Sequence, residues 1–487
     1  MIDLTKNDVQ LKRNIQRCKE RKIIIPTFAQ LKDPKTVPEK VKSRLKTIGL
    51  WDVAPENLFR VSWKNEPVEK GGLFTALPNF IELPPELTGV EARIVAMIGK
   101  WFPTGSHKVG ATFGCLAPRL VTGQFDPTKH KAVWPSTGNF CRGGAYNATL
   151  LGCESIAILP EGMSKERFDW LKTVAGEIIT TPGSESNVKE IYDKVWELRR
   201  TRNDIFVFNQ FAEFGNYLFH YDVTGHAMEE LIKKQSGGGR YAGVCLTTGS
   251  AGTIACGDYL KQVFPTSKIA AGEAVQCPTL WLNGYGAHRI EGIGDKHVPW
   301  IHNVRNTDMI IAIDDSDPMN LIRLFNEPAG REYLIKQVGV PESIVSKLDL
   351  LGISSVANVL MAIKFSKYYE LTRKDTVLTV FTDSMSMYQS RLKEAREKHG
   401  AYIEKDAITD YHRHLMGQKT DAMTELSFPD RKRVHHLKYF TWIEQQMFDI
   451  VELNRQWYDD SYWTGNQELT PKIDRLITEF NERVGLV

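Results

Sequence analysis

Pro103-Thr104-Gly105-Ser106-His107-Lys108, running on into Val109-Gly110-Ala111-Thr112, is the stretch on which the reading of this chain turns. A turn of small residues delivers a lysine to the start of a mildly apolar segment, where a fold can wall its amine off from water and lower its proton affinity. Most lysines that follow a turn are solvated surface charges, so this one takes its meaning from what comes after it. Val133-Trp134-Pro135 reads as a buried strand entering Ser136-Thr137-Gly138-Asn139, whose hydroxyls and amide offer donors to an anion. Val244-Cys245-Leu246-Thr247-Thr248 is a second strand, followed by Gly249-Ser250-Ala251-Gly252-Thr253 and the apolar Ile254-Ala255-Cys256. A strand, a glycine turn and a helix start aim several backbone N–H groups at one place, which is how a phosphate is held. A third strand, Val377 to Thr382, ends in Asp383-Ser384.

Nine short β-branched runs alternate with longer amphipathic ones: Ile94–Ile98, Ala132–Trp134, Ile156–Leu159, Glu177–Thr180, Ile205–Phe208, Val244–Thr247, Ile269–Gly272, Met309–Ile313 and Val377–Phe381. Such alternation predicts parallel sheets covered by helices, an α/β protein. At 487 residues the chain exceeds one ordinary core, so two α/β domains with extensions are expected. In the tail, Phe440, Ile443, Met447, Ile450, Val451 and Asn454 recur near a 3.6-residue period, which predicts a helix whose apolar face packs on the body or on a partner subunit.

With 42% hydrophobic and 25% charged residues the composition is that of a soluble globular protein. A net charge of +3 is small for this length, and Arg431-Lys432-Arg433 reads as a solvated face, so nucleic-acid binding is not expected. No segment approaches a membrane span and the amino terminus has no signal-peptide pattern, so a cytoplasmic location is expected. Seven cysteines, odd in number and without C-x-x-C pairs or clustered histidines, indicate neither a disulfide framework nor a metal site. The glycine turn does not satisfy G-x-G-x-x-G and lacks an acidic ribose partner, which argues against a dinucleotide fold.

These segments, in this order, resemble the fold-type II pyridoxal phosphate enzymes, the family of cysteine synthase, cystathionine β-synthase, tryptophan synthase β chain and threonine deaminase. The resemblance spans about residues 76 to 395. Gly286-Ala287-His288-Arg289-Ile290-Glu291-Gly292-Ile293-Gly294 with Val298-Pro299, and Gly352-Ile353-Ser354-Ser355, are similar to cysteine synthase stretches, as is Asn209-Gln210-Phe211; Asp383-Ser384-Met385-Ser386-Met387-Tyr388 is most like cystathionine β-synthase. A glutamate required by tryptophan synthase is replaced by Ser136.

The resemblance implies two α/β domains with pyridoxal 5'-phosphate in the cleft between them. The expected division is an N-terminal extension (1–75), a smaller domain (76–215), a larger domain (216–395) and a helical C-terminal extension (396–487), with residues 325–348 a helical insertion. Lys108 would hold the cofactor as a Schiff base and serve as the base that removes the α-proton. Gly249, Ser250, Ala251, Gly252 and Thr253 would bind its phosphate, Asn139 its ring oxygen and Ser384 its ring nitrogen. Ser136, Thr137 and Gln210 would receive the substrate carboxylate, with Gly138, Phe140 and Gly292 lining the substrate. Because a hydroxyl at Ser384 is too weakly acidic to keep the ring nitrogen protonated, elimination and replacement at Cβ are favoured over transamination.

The implied activity is β-replacement on a serine-type amino acid by way of an aminoacrylate, with a thiol or sulfide as nucleophile. The alternatives are a β-eliminating lyase or deaminase and, more distantly, a binding or assembly protein that has kept the fold. A homodimer is the expected assembly. Three departures bear on the substrate: Phe140 where cysteine synthases have threonine, Cys141-Arg142 for a small-residue pair, and Val109-Gly110 for Asp-Arg. They imply a bulkier or differently charged substrate, with Arg142 placed to answer the charge.

Overall fold

The computed structural model describes residues 2–185, 187–235 and 239–486. All nine expected strands form, and two more join them. The strands are β1 (Phe80–Leu83), β2 (Arg93–Ile98), β3 (Lys131–Pro135), β4 (Ser155–Pro160), β5 (Glu177–Thr181), β6 (Ile205–Val207), β7 (Arg240–Thr247), β8 (Lys268–Ala274), β9 (Met309–Ile313), β10 (Asp375–Phe381) and β11 (Met423–Glu425). They build a four-stranded sheet in the order β5-β4-β3-β6 and a seven-stranded sheet in the order β1-β2-β10-β7-β8-β9-β11. Every pairing is parallel except β1 with β2 and β11 with β9, at the two edges of the larger sheet. The central strands are covered on both faces, which is why β4 and β10 are buried at every position.

The domain boundaries need correction in two places. Strands β1 and β2 precede the lysine motif yet pair into the larger sheet, so the expected smaller domain begins after them and not at residue 76. The C-terminal extension is not wholly helical: β11 closes the far edge of the larger sheet through register pairs Met423 with Ile311 and Glu425 with Met309. Residues 325–348 are helical as expected, in Pro328–Tyr333, Leu334–Val338 and Glu342–Val345.

The two terminal extensions meet on the helix that starts at the motif lysine, Lys108–Thr122. From the N-terminal helix Asp8–Arg21, Asn14 donates to the carbonyls of Leu120 and Phe125, each at 3.0 Å. From the last helix, Thr470–Val484, Asp474 accepts the N–H groups of Phe28 and Ala29, and the Asn481 amide pairs with both the N–H and the carbonyl of Ile25. Apolar residues of both extensions share one core with the Lys108–Thr122 helix and β3.

The expected tail helix is interrupted. Met447 adopts φ +59°, separating the turns at Tyr439–Gln445 from the helix Ile450–Tyr458. Its anticipated apolar face points outward, with Phe440 56%, Met447 76% and Val451 60% exposed. Trp442, Leu453 and Trp457 are buried in its place. Among the described residues no helix is long and apolar enough to cross a membrane.

Lys438 anchors the tail. Its ammonium is fully buried and donates to the carbonyls of Trp300 (2.9 Å) and His302 (2.7 Å) and to Gln456 Oε1 (2.7 Å). Lys438→Met keeps most of the volume but strands three buried acceptors, so it should lower stability by about 2–4 kcal/mol, read as a lower thermal midpoint of the intact chain.

Candidate active site

Three loops converge because each leaves the carboxyl end of a parallel strand, where the crevice of an open α/β sheet lies. Ser136–Asn139 follows β3, Thr248–Thr253 follows β7, and Thr382–Ser384 follows β10. The lysine helix starts between them. Lys108 N–H is received by Ser106 Oγ at 3.3 Å, and Lys108 Nζ donates to Ser250 Oγ at 3.1 Å, joining the smaller domain to the glycine loop of the larger.

One narrow cavity, about 370 Å³ including its mouth, is lined by Lys108, Ser136, Thr137, Asn139, Phe140, Gln210, Gly249, Ser250 and Gly292, nine of the fourteen site residues expected from sequence. Gln210 Nε2 donates to Ser136 Oγ at 3.3 Å, so two of the three expected carboxylate receivers touch. The third, Thr137, instead pairs with Glu185. Phe140 is packed edge-on against Trp134. Asn139 donates to Asp383 at 2.6 Å, while its Oδ1 is buried without a hydrogen-bond partner.

Gly138, Ala251, Gly252, Thr253 and Ser384 are not in the cavity lining. Gly138 precedes the helix Asn139–Leu150 and lies against Arg167. Ala251 takes φ +60° in the turn, and Thr253 Oγ1 faces His107 Nε2 at 3.1 Å. A Cβ at Gly252 would stand 2.0 Å from Asn216 Oδ1, while Asn216 Nδ2 donates to Ser250 Oγ at 3.0 Å. Glycine here is therefore a condition for the shape of the loop. Ser384 is buried and precedes a short turn at Met385–Met387; its hydroxyl pairs with Ser386 Oγ at 2.8 Å, and no backbone N–H is capped by it.

Arg142 does not answer a substrate charge. It is buried behind the cavity with its guanidinium over the rings of Trp170 (4.6 Å) and Trp51 (5.4 Å), and burial lowers its pKa to about 9. All seven cysteines are buried and free; burial pushes the Cys141 thiol up to about 12, which removes it as a nucleophile.

The electrostatics of the cavity differ from expectation. Burial lowers the Lys108 pKa to about 8, as the chemistry needs, but its charged neighbours are not cations. They are Asp295 and Glu185, which oppose the shift and are themselves raised by burial, to about 7 and about 8. Both line the cavity, as do Phe211 and Thr382, and none of the four was singled out from sequence. Asp295 directly follows the Gly292-Ile293-Gly294 turn, in which Gly292 has φ +100°, so its position beside a recognised motif was the available signal. Glu185, in the loop after β5, carried none.

The cysteine synthase of Staphylococcus aureus is 30% identical over 289 residues, 59% of this chain and 84% of that protein. The family model for pyridoxal-phosphate dependent enzymes matches residues 90–330. The chain belongs to the pyridoxal-phosphate dependent enzyme family. The cystathionine beta-synthase of Saccharomyces cerevisiae is 24% identical over 316 residues, 63% of this chain and 59% of the relative. In fold, a cysteine synthase structure from Entamoeba histolytica matches with a TM-score of 0.56 at 21% identity, covering 70% of this chain and 93% of that one. An O-acetylserine dependent cystathionine beta-synthase from Helicobacter pylori matches with a TM-score of 0.52 at 23% identity, covering 65% and 94%. The protein is therefore a pyridoxal-phosphate-dependent enzyme of the cysteine synthase-like kind.

The residues present fit that cofactor. A half-buried lysine of lowered pKa, a glycine loop ahead of the helix Ala255–Val263 and the unpartnered Asn139 Oδ1 supply an amine, an anion cradle and a polar contact. Among the described residues no cluster of His, Cys, Asp or Glu could hold a metal ion.

Two predictions follow from this geometry. Gly252→Ala should weaken cofactor binding by at least about tenfold while the chain stays folded, measured by titrating apoprotein with pyridoxal phosphate. For the raised carboxyls of Asp295 and Glu185, the folded state holds protons that the unfolded state has released, so their contribution to stability declines as pH rises from about 4 to about 8. Asp295→Asn with Glu185→Gln should flatten that decline in a pH series of urea unfolding curves.

Proposed function

We propose that the enzyme carries out β-replacement on a serine-type amino acid, expelling the Cβ substituent and joining a thiol or sulfide in its place. The observation that carries this reading is the meeting, in one cavity, of Lys108 with the Ser136–Asn139 loop, Gln210 and the Gly249-Ser250 loop start. It is supported by the 30% identity to a cysteine synthase.

Pyridoxal phosphate, when bound, supplies an electron-accepting system conjugated to the substrate's amino group, which makes the α-proton removable. The protein supplies the rest. Ser136 and Gln210, already in contact, would take the substrate carboxylate, and Thr137 would join them on release from Glu185. Ser250 and the loop behind it would hold the phosphate, with Asn139 at the ring oxygen and Ser384 at the ring nitrogen. Lys108, with a proton affinity near neutrality, removes the α-proton and later returns it. Because only Lys108 among the lining groups carries a positive charge, the cavity favours an α-amino acid whose side chain is neutral.

Lys108→Ala should abolish turnover, by at least about 10³-fold, and borohydride should no longer fix the cofactor to the peptide containing residue 108. Wild-type enzyme given sulfide or a thiol should yield the β-substituted amino acid from at least one of serine, cysteine, O-acetylserine and O-phosphoserine, identified by mass spectrometry. Pyruvate and ammonia as the products whatever nucleophile is added would establish the lyase instead.

A further inference from the structure

Asp295 is the carboxylate around the site that the structure leaves uncommitted. Its neighbours are all engaged: Glu185 with Thr137 and Arg167, Asp383 with Asn139 and Tyr388, and Glu291 with Arg167 (3.2 Å) and Arg391 (2.6 Å). Asp295 is 9% exposed, its carbonyl accepts Thr279 Oγ1 at 2.7 Å, and its side chain lines the cavity. Among the described residues that carboxyl makes no hydrogen bond and no ion pair. It lies between the Gly292 turn and Gly249, where a Cβ built on Gly249 would be 3.8 Å from Asp295 Oδ2, and the positive charge that acts on it is Lys108. A buried acid with no partner, in a cavity with a lysine base, is placed to exchange a proton with something that enters the cavity.

We propose that Asp295 carries the proton of the β-substituent, and that the substrates are therefore amino acids with an unactivated hydroxyl or thiol at Cβ. This rests on the β-chemistry reading above. Lys108 takes the α-proton, and the electrons left at Cα form the Cα–Cβ double bond as the Cβ–O or Cβ–S bond breaks. The departing atom keeps that bond's electron pair and receives the Asp295 proton, leaving as water or a thiol, and Asp295 is left as carboxylate. In the second half the nucleophile's lone pair forms a bond to Cβ, its proton returns to Asp295, and the Cα electrons recover the proton held on Lys108. No other reactant is needed. A phosphate leaving group needs no such proton, so O-phosphoserine lies outside the class that Asp295 serves.

The charged and titratable groups facing Asp295 are Lys108, Glu185, Tyr192 and Cys277. Burial raises Tyr192 and Cys277, so Lys108 and Glu185 are the ones that titrate alongside it.

The test compares serine with β-chloroalanine, whose chloride leaves without a proton, in wild-type holoenzyme and in Asp295→Asn and Asp295→Ala. Loss of the β-substituent from serine should fall by about 10²- to 10⁴-fold in the variants, and from β-chloroalanine by less than about tenfold. Exchange of the α-proton of serine in D₂O, followed by NMR, should persist, because it reports Lys108 alone. In wild type the serine rate should fall as pH rises through about 7, where Asp295 loses its proton, with no matching limb for β-chloroalanine. A readout independent of turnover is the wild-type minus Asp295→Asn unfolding free energy of apoprotein, on a Glu185→Gln background, which should decline between about pH 4 and pH 7. Equal losses on both substrates, or no loss on serine, would overturn the role of Asp295 while leaving the β-chemistry intact. Should neither variant fold, a serine profile in wild type without the alkaline limb overturns it. Wild type inert towards β-chloroalanine and serine alike would remove the β-chemistry reading and this proposal with it.

Discussion

The contact of Lys108 Nζ with Ser250 Oγ is the constraint on which the site depends. It spans the two sheets, and it asks for an amine that is buried enough to give up its proton near neutrality yet anchored enough to stay in place. The helix that begins at Lys108 fixes the amine, and the parallel strand β7 fixes the loop that meets it. Everything else at the cavity is arranged around that junction: one polar loop from each sheet, and the carboxyls of Asp295 and Glu185, which oppose the lowering of the Lys108 pKa and are themselves raised by burial to about 7 and about 8.

Much of this was legible in the amino-acid order. Parallel strands covered by helices read as short β-branched runs even where, as in β5 and β6, burial is incomplete, so all nine expected strands were found. The edge strands were missed for physical reasons: Phe80–Leu83 alternates in burial and Met423–Glu425 is three residues long, too short for any pattern. In the tail the period did not reveal that Met447 would turn the chain with a positive φ and interrupt the helix. At the site, residues carried by a motif, such as Lys108, Ser136, Gln210 and Ser250, were identifiable and do converge. Glu185 and Asp295 were not, since a lone carboxylate on a loop has no local signature and gains its meaning only from the lysine folded against it. Arg142 shows the converse: a departure in a motif suggested a ligand contact, and the side chain is buried over the rings of Trp51 and Trp170.

The site is also unusual in where its charge is stored. Arg167, fully buried, touches Thr137, Tyr388 and Glu291 and so links the loops after β3 and β10 to the turn that carries Gly292. Paired in this way it is a structural cation and unavailable to a ligand, which leaves Lys108 to provide the cavity's only free positive charge.

The pairing of Ile25 with Asn481, 456 positions apart, has a consequence for how the protein is made. The helix bearing Lys108 is flanked by Asp8–Arg21 and Thr470–Val484, so its packing is completed only once residues 470–484 have been made. The smaller sheet, β3 to β6, can assemble earlier from nearby segments, but the lysine helix waits for residues 470–484, a closure of long sequence separation. Competence to hold the cofactor would then arrive late, and a chain cut short before residue 481 would carry every motif of the active site on a helix braced from one side alone.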